Sequence, residues 1–286
     1  MDLRTRLCFA ISRRLIKPPQ DRASDPAVYA RWRESMLTQS WSGFSDALIT
    51  GKDVLDFGCG DGQLALFLLS REPRSMVGVD IIPGAIERAN ARASGTAARF
   101  LLGSENGIPL PDRSVDTILA FDMLEHVMQP AKIMADWFRV LRPGGRVAIE
   151  WYPFKGPYGP HMEGLIPIPW AHVLFGERAM FRTAAMIYEL PEFAPRYWDL
   201  QNGEKKPNKY AQCSTFAEQG FLNQLDIPTF KRLAREAGFN IPRFEKRGFG
   251  GPLWRRAIGA TLRRLPFAGE YFVISVLIEL ERPGTA

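Results

Sequence analysis

The chain has 286 residues, 46% hydrophobic and 24% charged, with a formal net charge of +6. That much apolar material can bury a sizeable core, so disorder is not the default, and the length suits one large domain or a domain with an insertion. Cys8, Cys59 and Cys213 are widely spaced and odd in number; they form neither a disulfide framework nor a paired zinc site, which points to a reducing, cytoplasmic setting.

The first stretch, MDLRTRLCFAISRRLIK, has arginines inside its apolar run and so lacks the core of a cleaved signal peptide. Leu3, Leu7, Ile11 and Leu15 recur four apart between Arg4, Arg6, Arg13, Arg14 and Lys17, an amphipathic helix stopped by Pro18 and Pro19. A second helix is expected over about 26–48. From 52 to 150 apolar strands alternate with helices: DVLDF, QLALFLLSR, SMVGVD, PGAIERANARA, ARFLLG, VDTILAFD, a helix near 130–141, and RVAIEWY. That alternation predicts an α/β fold, a doubly wound and mostly parallel sheet covered on both faces, with PGG at 143–145 breaking the chain between the last helix and its strand.

Over 151–222 the periodicity weakens and proline, glycine and aromatic residues crowd in, which reads as an inserted cap. Order returns with DIPTFKRLAREAG, a helix with Asp226 as N-cap and Gly238 at its end, and with the strands IPRFEKRG and EYFVISVLIELE. The expected divisions are therefore a helical segment at 1–50, a ligand-binding core at 51–150, an acceptor cap at 151–222 and completion of the sheet at 223–286. FVISVLI at 272–278 is far shorter than the ~20 residues that span a bilayer.

The turn after the first strand, DVLDFGCGDG, carries Gly58, Gly60 and Gly62, where missing Cβ atoms let a ligand approach the main chain. Asp80 ends the next strand, where a carboxylate can accept ribose hydroxyls. Gln63 stands where a dinucleotide turn would want its third glycine, which weakens a nicotinamide reading, while Asp56 suits the ammonium of a methionine moiety. Cys59 reads as a small residue between glycines, without an activating base beside it.

VLDFGCGDG, VGVD, IPLPDRSVDTILAFDMLEHV and RVLRPGGRVAIE together resemble, in order, the motifs of the class I S-adenosylmethionine-dependent methyltransferases. The resemblance is close over about 50–150 and weaker over 226–282. It implies a Rossmann-like sheet of seven strands with the last antiparallel, and S-adenosylmethionine as cofactor. By it, Asp56, Phe57, Gly58, Cys59 and Gly60 surround the methionine end, Asp80 binds ribose and Ile81 packs on adenine. Phe121 and Asp122 would line the methyl-donor pocket. Many relatives have aspartate at the position of Ser104, so Ser104, Glu105 or backbone groups must serve the adenine amino group here.

Methyl transfer to a hydroxyl benefits from a base, and the chain has three histidines. His161, in GPYGPHMEG after the fifth strand, and His126, in MLEHV after the fourth, are the catalytic candidates; His172 has apolar neighbours and reads as packed. None has a metal-ligand signature, so no metal is expected. Trp151, Tyr152, Tyr158, His161 and Trp170 are the candidate acceptor wall. The expected activity is methyl transfer to an oxygen of a small molecule. Alternatives are transfer to nitrogen or carbon, action on a lipid-linked, quinone or glycan intermediate at a membrane, or a non-catalytic cofactor-binding regulator. The basic amphipathic segments 3–17 and 253–267 suit peripheral contact with an anionic membrane better than nucleic acid.

Overall fold

The computed structural model describes residues 1–17, 24–104 and 107–284. In chain order its main elements are α1 (Leu3–Leu15), α2 (Pro26–Trp41), β1 (Asp53–Phe57), α3 (Gln63–Leu68), β2 (Ser75–Asp80), α4 (Pro83–Arg92), β3 (Ala98–Leu102), β4 (Val115–Phe121), α5 (Pro130–Val140) and β5 (Leu141–Trp151). They continue with α6 (Glu177–Tyr188), α7 (Ile227–Glu236), β6 (Asn240–Arg247), α8 (Leu253–Leu262) and β7 (Ser275–Glu281). A two-stranded ribbon at 200–205 stands apart from the sheet.

The chain divides into two compact units. The sheet unit comprises Arg33–Trp151, Ile227–Arg247 and Ser275–Ala286; the helical unit comprises Met1–Trp32, Tyr152–Asp226 and Gly248–Ile274.

In the sheet unit seven strands lie in the order β3-β2-β1-β4-β5-β7-β6. The first five are parallel, and β7 runs antiparallel to both of its neighbours, as expected of the last strand. The central strands are apolar because both faces are covered: in β4 every residue but Asp116 is buried, and Val147, Ala148, Ile149 and Trp151 of β5 are wholly so. Helices α4 and α5 open on Pro83 and Pro130, at positions where a missing N–H costs nothing. The stripe Ile133, Met134, Trp137 and Val140 buries α5. On the edge strand β6, Pro242 cannot donate to the ladder, and the pairing with β7 slips between Asn240 and Arg243.

Two expected boundaries move. Helix α2 stops at Trp41, and a separate 3₁₀ turn at Asp46–Leu48 follows, tied by the Trp41 indole donating to Asp46 at 2.9 Å. The PGG turn does not end a helix before a strand begins: β5 starts at Leu141 and runs through 143–145. Opposite it the register of β4 shifts between Val115 and Thr117, and Gly144 donates to the Arg282 carbonyl at 2.8 Å. Asp226 stands directly before α7, at the position expected for its cap, and also holds the Lys155 ammonium at 2.6 Å.

The helical unit is built on α6, whose Met180, Phe181, Ala184, Ile187 and Tyr188 meet Leu165, Ile166, Tyr210 and Phe216 in one core. Helix α1 joins that core through Cys8, with Thr5 and Ser12 also buried. Asp2 caps α1, accepting from the Thr5 N–H at 3.0 Å, which helps hold its carboxyl down to about 2. The segment 248–274 belongs to this unit, whereas the strands on either side of it belong to the sheet.

Candidate functional site

Everything expected at the cofactor's methionine end lies in the sheet unit, in the last residues of β1 and the turn that follows. After Phe57 the chain turns through Gly58 and Gly60, both in the left-handed region at φ +76° and +52°. A Cβ on Gly58 would lie 2.9 Å from the Met123 side chain, whereas one on Gly60 would meet nothing within 4 Å and would project into the space of the turn. Gly60 donates its N–H to Asp80 at 2.9 Å, and Ile82 donates to the other oxygen of that carboxylate at 3.0 Å. Asp80 therefore clamps the two turns together, keeping further lone pairs for ribose hydroxyls. Ile81 and Ile82 stand exposed beside it, an apolar surface suited to a base.

Asp56 is buried at the floor of a pocket that Arg33, Gly58, Gly60, Gln63 and Phe121 also line. Its Oδ2 has no hydrogen-bond partner among the described residues. Burial pushes this carboxyl up to about 7, with Asp80 adding to the effect; the Ala65 N–H at the start of α3 and the Arg33 cation oppose it. A buried carboxylate oxygen awaiting a donor fits the ammonium of a methionine moiety, and the guanidinium of Arg33 fits its carboxylate.

Arg33 is a residue that sequence reasoning missed. It forms an ion pair with Asp122, which closes β4 with a left-handed φ of +51° and donates its N–H to the Glu150 carbonyl at 3.0 Å. A non-glycine residue held in that conformation marks a constrained position. Arg33, Leu37 and Trp41 recur four apart on α2, so the arginine is in phase with the buried face. That phase was the available signal. Beyond Asp122, Glu125 is buried, and burial with the nearby Asp122 charge raises its carboxyl well above the ordinary range.

The remaining expected residues are placed as follows. Phe57 is half-buried and meets Trp137 edge-on at 5.6 Å, and Phe121 is buried edge-on to Phe44 at 5.3 Å. The Cys59 thiol is buried, and burial together with Asp56 and Asp80 pushes it far up, so it is no thiolate nucleophile. Ser104 is exposed, bridged to Gly107; Glu105 lies outside the described residues. His126 is half-buried in the turn Leu124–His126 that follows β4.

On the acceptor side the structure corrects one expectation. Trp151 is fully buried and stacks on Phe230 with ring centres 5.3 Å apart, so it is a core residue of the sheet and not part of an acceptor wall. The other four lie in the helical unit. His161 packs edge-on to Tyr152 at 5.9 Å, donates its N–H to the Tyr158 carbonyl at 3.0 Å and is left-handed at φ +53°. Trp170 donates its N–H to the Pro157 carbonyl at 2.7 Å and its indole to Tyr271 at 2.7 Å. His172 is packed against Phe154 and held neutral by burial, which lowers it to about 4.

A family model described as a methyltransferase domain matches residues 55–149. A relative from Mycolicibacterium gilvum, described as an uncharacterized methyltransferase, is 30% identical over 249 residues, 87% of this chain and 83% of its own. One of the same description from Mycobacterium avium is 31% identical over 183 residues, covering 63% and 70%. An S-adenosylmethionine-dependent methyltransferase structure from Mesorhizobium loti superposes with a TM-score of 0.52 at 16% identity, covering 88% of this chain and 98% of that one, a likeness of fold. Beside a left-handed glycine turn and a buried carboxylate oxygen without a partner among the described residues, these likenesses agree: the chain belongs to the class I S-adenosylmethionine-dependent methyltransferases.

Proposed function

We propose that this methyltransferase acts on an oxygen, hydroxyl or carboxyl, of a small-molecule acceptor, with 152–226 supplying the acceptor side. The carrying observation is His161, held in a left-handed turn against Tyr152 and Tyr158. Such a constrained imidazole, set edge-on to the Tyr152 ring, is suited to take a proton from an acceptor hydroxyl. The cofactor supplies an electrophilic methyl group on a sulfonium. Asp56, Arg33 and Asp80 would hold its two ends, and the Tyr152 ring beside His161 would help orient the acceptor and exclude water. His126 is the second candidate base.

A second reading, an acceptor carried on a lipid, quinone or glycan intermediate, is favoured by the exposed apolar side chains of the helical unit. Isotopically methyl-labelled cofactor supplied with metabolite and lipid extracts tests both, since the labelled product identifies the acceptor and its methylated atom. A folded His126→Ala, His161→Ala protein with an undiminished rate on that acceptor would exclude base assistance.

A further inference from the structure

Helix α1 is turned inside out. Its small and polar face, Thr5, Cys8 and Ser12, is wholly buried, while Leu3, Leu7, Ile11 and Leu15, one stripe at four-residue spacing, are 39–70% exposed. Arg4, Arg6, Arg13 and Arg14 are exposed on the same helix. Helix α8 repeats the composition. Gly259 is its single buried residue, while Leu253, Trp254 and Ile258 are exposed, and Leu265 and Phe267 extend the apolar surface beyond it. Phe267 is fully exposed on a left-handed turn at φ +61°. Arg255, Arg256 and Arg264 are exposed around them.

The two helices are linked within their unit. Cys8 of α1 and Ala171 of the short helix Ala171–Leu174 share one core, and Val173 and Leu174 of that helix are exposed. Trp170, at the start of that helix, packs on Phe249 at 5.9 Å, and Phe249 carries the Arg255 guanidinium at 5.2 Å. Outward apolar side chains thus mark three elements of one unit, α1, 173–174 and α8, as an apolar band. Of the large apolar side chains exposed among the described residues, fifteen are in the helical unit and four in the sheet unit, so the feature belongs to one unit.

We propose that this band docks the enzyme on an anionic lipid bilayer, lying in the interface with its apolar side chains among the acyl chains and its arginines at the headgroups. Charge selects this occupant. A second copy would set arginines against arginines, and a nucleic acid would leave Leu7, Ile11, Trp254 and Phe267 without use. No helix among the described residues is long and apolar enough to cross a membrane, so the contact is peripheral. The inference stands apart from the choice of acceptor, and it places the helical unit at the surface where a lipid-carried acceptor would reside.

The test is co-sedimentation of the full chain with vesicles of phosphatidylcholine alone and of equimolar phosphatidylcholine and phosphatidylglycerol, at low and raised salt. Binding is expected to the anionic vesicles, to weaken with salt, and to fall about tenfold or more in each of two pairs, Leu7→Ser with Ile11→Ser and Trp254→Ser with Phe267→Ser. Arg255→Gln with Arg256→Gln should lower binding to the anionic vesicles alone. A cooperative thermal melt at the wild-type temperature reports that each variant is folded, calorimetric affinity for S-adenosylmethionine reports that the sheet unit is intact, and no variant residue lies in the cofactor pocket. No binding to anionic vesicles, binding that survives both apolar pairs, or self-association that the same pairs abolish would overturn the proposal. Cofactor affinity intact beside absent vesicle binding would leave methyl transfer standing; the converse would leave the membrane contact standing.

Discussion

Replacing Asp56 by asparagine should make the cofactor-free protein more stable while making it a poorer enzyme. The carboxyl ordinarily ionises at 3.8 and in the folded chain at about 7. The folded state therefore keeps its proton more tightly than the unfolded one, so stability is lost as pH climbs from about 4 to about 7 and stays lost above. The whole effect is about 4 kcal/mol, of which about 2.5 kcal/mol falls between about pH 5 and about pH 8. Asparagine does not titrate. Its amide brings buried donors that need partners, a cost of about 1–3 kcal/mol that is nearly independent of pH. Urea unfolding of the two cofactor-free proteins should show the variant gaining about 2.5 kcal/mol on the wild type from about pH 5 to about pH 8. Calorimetry should show the variant's affinity for S-adenosylmethionine reduced about tenfold or more, the loss of one charge-assisted hydrogen bond. A stability difference that stays flat with pH, or an unchanged affinity, would refute the assignment of Asp56 as the buried partner of the cofactor's ammonium.

Arg33→Ala should weaken both S-adenosylmethionine and its demethylated product about 10- to 100-fold by calorimetry, with Arg33→Lys recovering part, because a guanidinium forks onto a carboxylate and an ammonium does not. Asp80→Ala should weaken both ligands and also lower the melting temperature of the free protein, since Asp80 accepts from the Gly60 and Ile82 N–H groups. Gly60→Ala, at φ +52° with nothing within 4 Å of the new methyl, should cost about 1 kcal/mol of stability in denaturant unfolding yet sharply reduce cofactor binding. Gly58→Ala should cost more stability, since its methyl would also meet Met123 at 2.9 Å. His161→Gly should gain about 1 kcal/mol of stability by relieving a left-handed φ, while turnover on the identified acceptor falls.

The parallel core could be read from the chain because its signals are local. Strand runs such as VDTILAF carry their own periodicity, and the glycines of the first turn announce a left-handed backbone whatever packs on it. Arg33 could not be read with equal ease: its partner Asp122 is 89 residues away, and only the docking of α2 on the end of β4 brings them together. The periodicity of α1 was visible, but a helical repeat says which side chains share a face and not which face is inward. There the usual expectation fails, because the core around Phe181 accepts Cys8 and leaves the leucines outside. Trp151 reads from the sequence as an acceptor contact for a related reason, since a residue at the very end of a central strand is core or site according to what covers it, and Phe230 covers it. The PGG turn was read as a boundary because breakers usually are; the slip of β4 opposite it lets β5 continue through.

The interleaving of the two units constrains how this protein can be cut or recombined. The sheet unit is made from three separate stretches, and β7 lies between β5 and β6 although it follows both in the chain. A fragment confined to Arg33–Trp151 would hold five strands and leave the long, apolar edge of β5 bare, an invitation to aggregate. Nor can β6 find its place until β7 has arrived, and between them runs 248–274, which builds the other unit. The helical unit therefore cannot be transplanted by a single fusion joint. A chimera that exchanges the helical unit must carry 152–226 and 248–274 together, with the first 32 residues, and will succeed only if all of its junctions are kept in register.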